Sequence, residues 1–142
     1  MIRRITTSEQ ETEAVAKELA ACLRAGDVVA LRGGLGAGKT AFTRGLAVGL
    51  GIRADVSSPT FALVHEYRDN GAVLYHFDMY RVESEEDLYS TGFYDYLEAD
   101  GVLAIEWSEN IPQALPAGAI TVTLTPAGEN RREIQIEGVE PC

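Results

Sequence analysis

The sequence predicts an α/β fold of three layers, in which a mixed, mainly parallel central sheet is flanked by helices. Three observations predict it. A short apolar, β-branched run, Asp27-Val28-Val29-Ala30-Leu31, breaks into the glycine-rich stretch Arg32-Gly33-Gly34-Leu35-Gly36-Ala37-Gly38-Lys39-Thr40, after which residues 42–50 read as a helix stopped by Gly51. Further short apolar runs recur down the chain with helical stretches between them, the pattern of strands alternating with helices. Two of those runs flank Arg68-Asp69-Asn70-Gly71-Ala72, whose Asn-Gly pair signals a hairpin, so the sheet is expected to be mixed.

The elements follow in order. Ser8 with Glu11 three residues later forms a capping-box signature, and Ala14, Val15, Leu19, Ala20, Cys22 and Leu23 then recur at helical spacing up to Gly26. The run at 27–31 is the first expected strand. Further strands are expected at 61–67, 73–78, 101–107, 120–125 and 133–137, and residues 85–97 read as one or two short helices. There are no repeats and no low-complexity linker.

Length and composition bound the answer. With 142 residues, 46% of them apolar, the expectation is one compact domain over 1–142, and disorder is excluded. Wholly apolar stretches are only a few residues long, far short of the roughly 18 needed to span a bilayer. The start, Met1-Ile2-Arg3-Arg4, has basic residues but no apolar segment after them, so no secretory signal is expected and the cytosol is the expected compartment. Cys22 and Cys142 are too few for a disulfide framework or a metal cluster; the first is expected as a buried small residue, the second as a frayed tail.

The net charge of −10 argues against a chain that grips nucleic acid by itself, because that needs clustered Lys and Arg. The charge is unevenly placed. Residues 1–71 hold 9 basic and 8 acidic side chains, net +1, whereas residues 72–142 hold 3 and 14, net −11. No Lys or Arg occurs from Glu83 to Asn130. Such a stretch is either a solvated face or a surface for a basic partner.

The strongest chemical signal is Gly33-Gly34-Leu35-Gly36-Ala37-Gly38-Lys39-Thr40, which satisfies G-x-x-x-x-G-K-[ST] in a strand-loop-helix context. This makes the expected fold P-loop NTPase-like. Glycines let the backbone curl so that several N–H groups face phosphate oxygens, and the helix that follows adds its positive end. Gly33, Leu35, Gly36, Ala37, Gly38, Lys39, Thr40 and Ala41 are therefore candidates for holding a nucleoside triphosphate. Lys39 should reach the β- and γ-phosphates and the Thr40 hydroxyl should bind Mg²⁺.

Such a site needs carboxylates near the metal, and two acids close apolar strands: Asp78 after Val73-Leu74-Tyr75-His76-Phe77, and Glu106 after Val102-Leu103-Ala104-Ile105. Each could hold Mg²⁺ or orient the attacking water, and the sequence does not divide these roles. Ser57-Ser58-Pro59-Thr60-Phe61 is either a turn entering a strand or a nucleotide-sensing segment. His65 and His76 read as strand residues that pack or hydrogen-bond, with no catalytic role assigned. Arg81 either pairs with a surface acid or points towards phosphate.

The ordered set Gly33 to Thr40, Ser58-Pro59-Thr60-Phe61, His65-Glu66-Tyr67, His76-Phe77-Asp78-Met79-Tyr80-Arg81 and Ile105-Glu106-Trp107 resembles the TsaE family, the ATPase component of bacterial tRNA threonylcarbamoyladenosine synthesis. The resemblance extends from the opening helix to Trp107 and is weakest after Pro116. It implies an ATP-hydrolysing subunit that resets the TsaB–TsaD pair between turnovers and meets tRNA only through that complex. It also implies that Asp78 and Glu106 are the family's two functional acids, Thr60 is a switch-like threonine near the γ-phosphate, and Trp107 either reports on nucleotide or packs in the core. The family commonly has Asp where this chain has Gly34 and Pro where it has Ser108; neither change touches Lys39, Thr40, Asp78 or Glu106.

Two rival readings share the loop. A small-molecule kinase usually brings several lid arginines, and beyond Arg81 only Arg131 and Arg132 remain. A nucleotide-gated adaptor with incidental hydrolysis also fits the small size. A GTPase is disfavoured, since neither Asn-Lys-x-Asp nor Asp-x-x-Gly occurs.

Overall fold

A computed structural model describes residues 1–34, 38–53, 55–56 and 63–139. In chain order these form β1 (Ile2–Thr6), α1 (Glu9–Ala20), β2 (Val28–Arg32), α2 (Lys39–Gly49), β3 (Val64–Asp69), β4 (Ala72–Asp78), α3 (Glu85–Ser90), α4 (Phe93–Leu97), β5 (Val102–Glu106), β6 (Ile120–Pro126) and β7 (Arg132–Glu137). Two single 3₁₀ turns, Ser108–Asn110 and Pro112–Ala114, follow β5.

The strands make one sheet in the order β1-β7-β6-β2-β5-β4-β3. Its centre is parallel, with β2 between β6 and β5 and β4 beside β5. Antiparallel partners complete both sides: β3 on β4, β7 on β6 and β1 on β7. Val28-Val29-Ala30-Leu31 and the whole of β5 are buried, as continuous apolar runs are when both faces of a parallel strand are covered. Alternation divides them between two cores. Val29 and Leu31 pack with Phe42 and Leu46 of α2 and Leu19 of α1, while Val28, Leu103 and Ile105 pack with Leu88 of α3 and Phe93 of α4. Helices thus cover both faces, giving the three layers and the α/β class expected.

The N-cap of α1 is Ser8, whose Oγ accepts from the Glu11 N–H at 3.1 Å while Glu11 Oε1 accepts from the Thr7 N–H at 2.8 Å. The helix ends earlier than its periodicity suggested. After Ala20 the chain tightens, with Cys22 N–H on Leu19 O and Leu23 N–H on Ala20 O. Cys22 is consequently half-buried, not a core residue, and Cys142 lies outside the described residues. Asn70 (φ 50°) and Gly71 (φ 82°) form the hairpin turn between β3 and β4, both with the positive φ that a tight two-residue hairpin requires.

Three differences from the sequence expectations stand out. β1 was not expected: it is an edge strand in which only Thr6 is buried, so it carries no alternating apolar signal. The helix after the glycine loop starts at Lys39 rather than Phe42, because Gly38 at φ 100° turns the chain directly into it. The strand expected at 61–67 is seen as Val64–Asp69, residues 57–62 lying outside the described residues.

α1 and α2 lie unusually close. A Cβ on Gly45 would sit 2.3 Å from the Glu13 carbonyl oxygen, and one on Gly49 would sit 2.5 Å from the Ala20 methyl. Glycines at i and i+4 on α2 therefore face Ala16 and Ala20 of α1. Among the described residues no helix is long and apolar enough to cross a membrane.

Candidate nucleotide and metal site

The site lies where β2, β4 and β5 end beside the start of α2. Gly38 occupies the left-handed region that only glycine enters cheaply, and α2 begins at the next residue. Phe42 N–H makes the first intrahelical bond, to Gly38 O at 2.9 Å. The N–H groups of Lys39, Thr40 and Ala41 precede it, at the positive end of the helix and without acceptors in it.

Lys39 is 5% exposed, and among the described residues its Nζ has no hydrogen-bond partner. The ammonium sits 3.7 Å from the centre of the Trp107 ring, a cation–π contact that only partly replaces water. Burial lowers its pKa, against the opposing pull of Glu106, Glu109 and Asp78. A buried cation without a partner, facing three carboxylates, is a group prepared for an anionic ligand.

Thr40 Oγ donates to Glu106 Oε2 at 3.3 Å. The same oxygen meets His76 Nε2 at 2.5 Å. Glu106 is 4% exposed and His76 is fully buried, its Nδ1 unpartnered among the described residues. Asp78 lies directly opposite Glu106 in the β4–β5 register. Its pKa is raised, chiefly by burial and further by Glu106, although the Tyr80 N–H at 2.9 Å, Lys39 and His76 oppose the shift.

The segment after β5 ties these strand ends together. Trp107 adopts φ 58°, a left-handed conformation costly for a bulky residue. That turn drives Ser108 under the sheet, where its buried Oγ donates to Leu31 O at 2.9 Å. Glu109 Oε2 accepts from the Gly33 N–H at 3.4 Å, and Glu109 Oε1 is buried and unpartnered among the described residues. Asn110 Nδ2 donates to Met79 O at 2.9 Å. A proline at 108 would have no hydroxyl for Leu31, so the serine fastens this turn to β2.

Of the residues singled out from sequence, Gly33, Gly38, Lys39, Thr40, Ala41, Asp78 and Glu106 surround one place. Leu35, Gly36, Ala37 and Thr60, with 57–59 and Phe61, lie outside the described residues. Arg81 is exposed in the turn after β4 and makes no hydrogen bond or ion pair with a described residue. Trp107 is half-buried and in contact with both Lys39 and Tyr80, whose ring centre is 5.0 Å away. His65 pairs with Tyr67 on β3 at 3.0 Å and lies opposite His76 in the β3–β4 register. Sequence reasoning gave no role to His76 or Glu109. The period of two places His76 and Asp78 on one face of β4, and that was the available signal for the histidine.

The donor set suits Mg²⁺. A hydroxyl and two carboxylates are hard oxygen ligands, and among the described residues no group of three or more His, Cys, Asp and Glu could hold a metal unaided. Mg²⁺ is usually held by one or two carboxylates together with substrate phosphates and water.

Comparisons with known proteins agree with one another. Residues 6–134 match the family model of the threonylcarbamoyl adenosine biosynthesis protein TsaE. The chain is 45% identical over 135 residues to the tRNA threonylcarbamoyladenosine biosynthesis protein TsaE of Bacillus subtilis, covering 94% of this chain and 84% of that one. To the protein of the same name from Treponema pallidum it is 38% identical over 135 residues, covering 95% and 99%. The crystal structure of Bacillus subtilis YdiB aligns with a TM-score of 0.80 at 39% identity, over 94% of this chain and 82% of that one.

Proposed function

This chain belongs to the TsaE family, and from that premise we propose that it is the ATP-binding and hydrolysing subunit of tRNA threonylcarbamoyladenosine synthesis, one domain over 1–142 that resets a TsaB–TsaD pair between turnovers. The observation that carries the ATP reading is the buried, unpartnered ammonium of Lys39 beside the Thr40–Glu106 hydrogen bond. A triphosphate supplies the oxygens that this ammonium lacks, and the N–H groups at the start of α2 face the same charge.

Thr40 and Glu106 hold the metal, because they already share a hydrogen bond and so lie within reach of one ion. Mg²⁺, when bound, neutralises charge between the β- and γ-phosphates. Asp78 takes the proton side: its raised pKa makes Asp78 a stronger proton acceptor than a free aspartate, and with Thr60 it orients water in line with the γ-phosphate. Water attacks phosphorus, the bond to the bridging oxygen breaks, and ADP and phosphate leave. Lys39 binds the phosphates and moves no proton. Its dry surroundings strengthen its hold on the phosphates, and Trp107 roofs it against water.

Arg81 is exposed, and the next basic residues are Arg131 and Arg132. Hydrolysis by the purified chain is therefore slow and rises when TsaB and TsaD complete the site. The test is ATP turnover with and without that pair, in wild type and Glu106→Ala. Stimulation by the pair and a loss of about 100-fold or more in the variant are expected. Turnover indifferent to both the partners and the substitution would sink the reading. Lys39→Ala should bind ATP at least about tenfold more weakly while circular dichroism is unchanged.

A further inference from the structure

We infer that His76 is a positioning residue for Glu106: its Nε2 anchors Glu106 Oε2, so that the carboxylate keeps its place when the Thr40 hydroxyl turns from that oxygen towards the metal. The inference rests on the ATP and Mg²⁺ reading above.

Three observations carry it. The two hydrogen bonds to Glu106 Oε2 are unequal, 2.5 Å from His76 and 3.3 Å from Thr40. The longer contact is the one easily given up, and the shorter one is the anchor. Next, the register leaves room for the imidazole. His76 lies opposite Ala104 on β5, whose small methyl lets the ring reach towards Glu106, two residues further along the same face. Finally, packing does not call for a histidine here. The position is fully buried on the sheet face that carries Leu74 and Ala104, and among the described residues Nδ1 has no partner, a cost that an apolar side chain would avoid. Among the described residues Oε1 of Glu106 makes no hydrogen bond, so fixing Oε2 leaves the second oxygen for the site. Partners that fix a metal-ligating side chain commonly matter about 10- to 100-fold in metal affinity or activity.

The experiment uses the full chain, with and without TsaB and TsaD, and compares wild type with His76→Leu, His76→Gln and His76→Asn. Calorimetric titration gives ATP affinity in excess Mg²⁺ and in EDTA, and turnover is followed against Mg²⁺ concentration. In His76→Leu the Mg²⁺ needed for half-maximal turnover should rise about 10- to 100-fold, and the gain in ATP affinity that Mg²⁺ confers should shrink by a similar factor. Affinity in EDTA should stay within about twofold, because Lys39 and the loop are untouched.

His76→Gln, whose amide donates from nearly the position of Nε2, should recover most of the effect, and the shorter His76→Asn should not. A folded His76→Leu with unchanged Mg²⁺ dependence overturns the inference. So does a Gln no better than Asn, which decides the matter if the leucine variant does not fold. Failure of the underlying reading looks different: wild type would bind no ATP, or Lys39→Ala would bind it normally.

Discussion

Burial makes the charged form of both Asp78 and Lys39 less favourable, and the pH dependence follows from the directions of their shifts. The folded-state pKa of Asp78 is raised, so the native chain binds this proton more readily than the unfolded chain. The stabilisation it brings is full below the ordinary carboxylate range and is lost as pH rises through the raised value. At neutral pH the ionised side chain is therefore a liability. Asp78→Asn keeps an oxygen for the Tyr80 N–H, removes the charge beside Glu106, and should melt a few degrees above wild type at pH 7 while hydrolysing ATP poorly. That advantage should shrink towards pH 4, and melting curves over this range check it; an advantage independent of pH counts against the assignment. Lys39 has the opposite sign: its lowered pKa means that stability is recovered as pH rises. Gly33, Gly38, Lys39 and Thr40 could be read from the sequence because their chemistry is local, a loop and one helix turn. Asp78 and Glu106 could be read because strand ends are local too. His76 and Glu109 act through the β4–β5 register and the left-handed turn at Trp107, which no short stretch of sequence contains.

At the scale of elements, the site depends on how tightly α1 holds α2, since α2 begins with Lys39 and Thr40. Gly45→Ala should gain about 1 kcal/mol in helix propensity. A methyl 2.3 Å from the Glu13 carbonyl oxygen, however, forces the two helices apart, and overpacking of this kind costs about 1–3 kcal/mol or more. The overlap is with backbone, so the upper end applies and net destabilisation of about 1–2 kcal/mol is expected in urea unfolding. ATP affinity should fall with it as the helix start is displaced. An alanine that stabilises would show that the helices can separate freely. The elements legible in the sequence were those with a local mark: the Ser8 cap, the Asn70-Gly71 hairpin and the four-residue apolar runs that begin β2 and β5. β1 had no mark, because Ile2, Arg3, Arg4 and Ile5 follow no alternation and the pairing that makes them a strand lies with residues 132–136.

For the molecule as a whole, the charge division has a place in the fold. Glu85, Glu86 and Asp87 open α3 and Asp95 lies on α4, both on the sheet face opposite α1 and α2. Glu85, Glu86, Asp87 and Asp95 thus give this face an acidic surface, whereas Glu106, in the same stretch from Glu83 to Glu109, is buried in the site; under the function proposed above, that surface is the candidate contact for a basic partner. Association with TsaB and TsaD should weaken roughly tenfold between low and high salt as screening shortens its reach; an affinity unchanged by salt would remove that face from the interface. The sheet order has a consequence for how the protein is made. β1 is made before every other described strand, and its partner in the sheet, β7, is made after them. Through nearly all of synthesis the opening strand therefore waits with its peptide groups unpaired, while β2 to β6 are able to assemble without it. Any chain that stops short of β7 leaves β1 unseated as well, so damage at one end of the strand series is felt at the other.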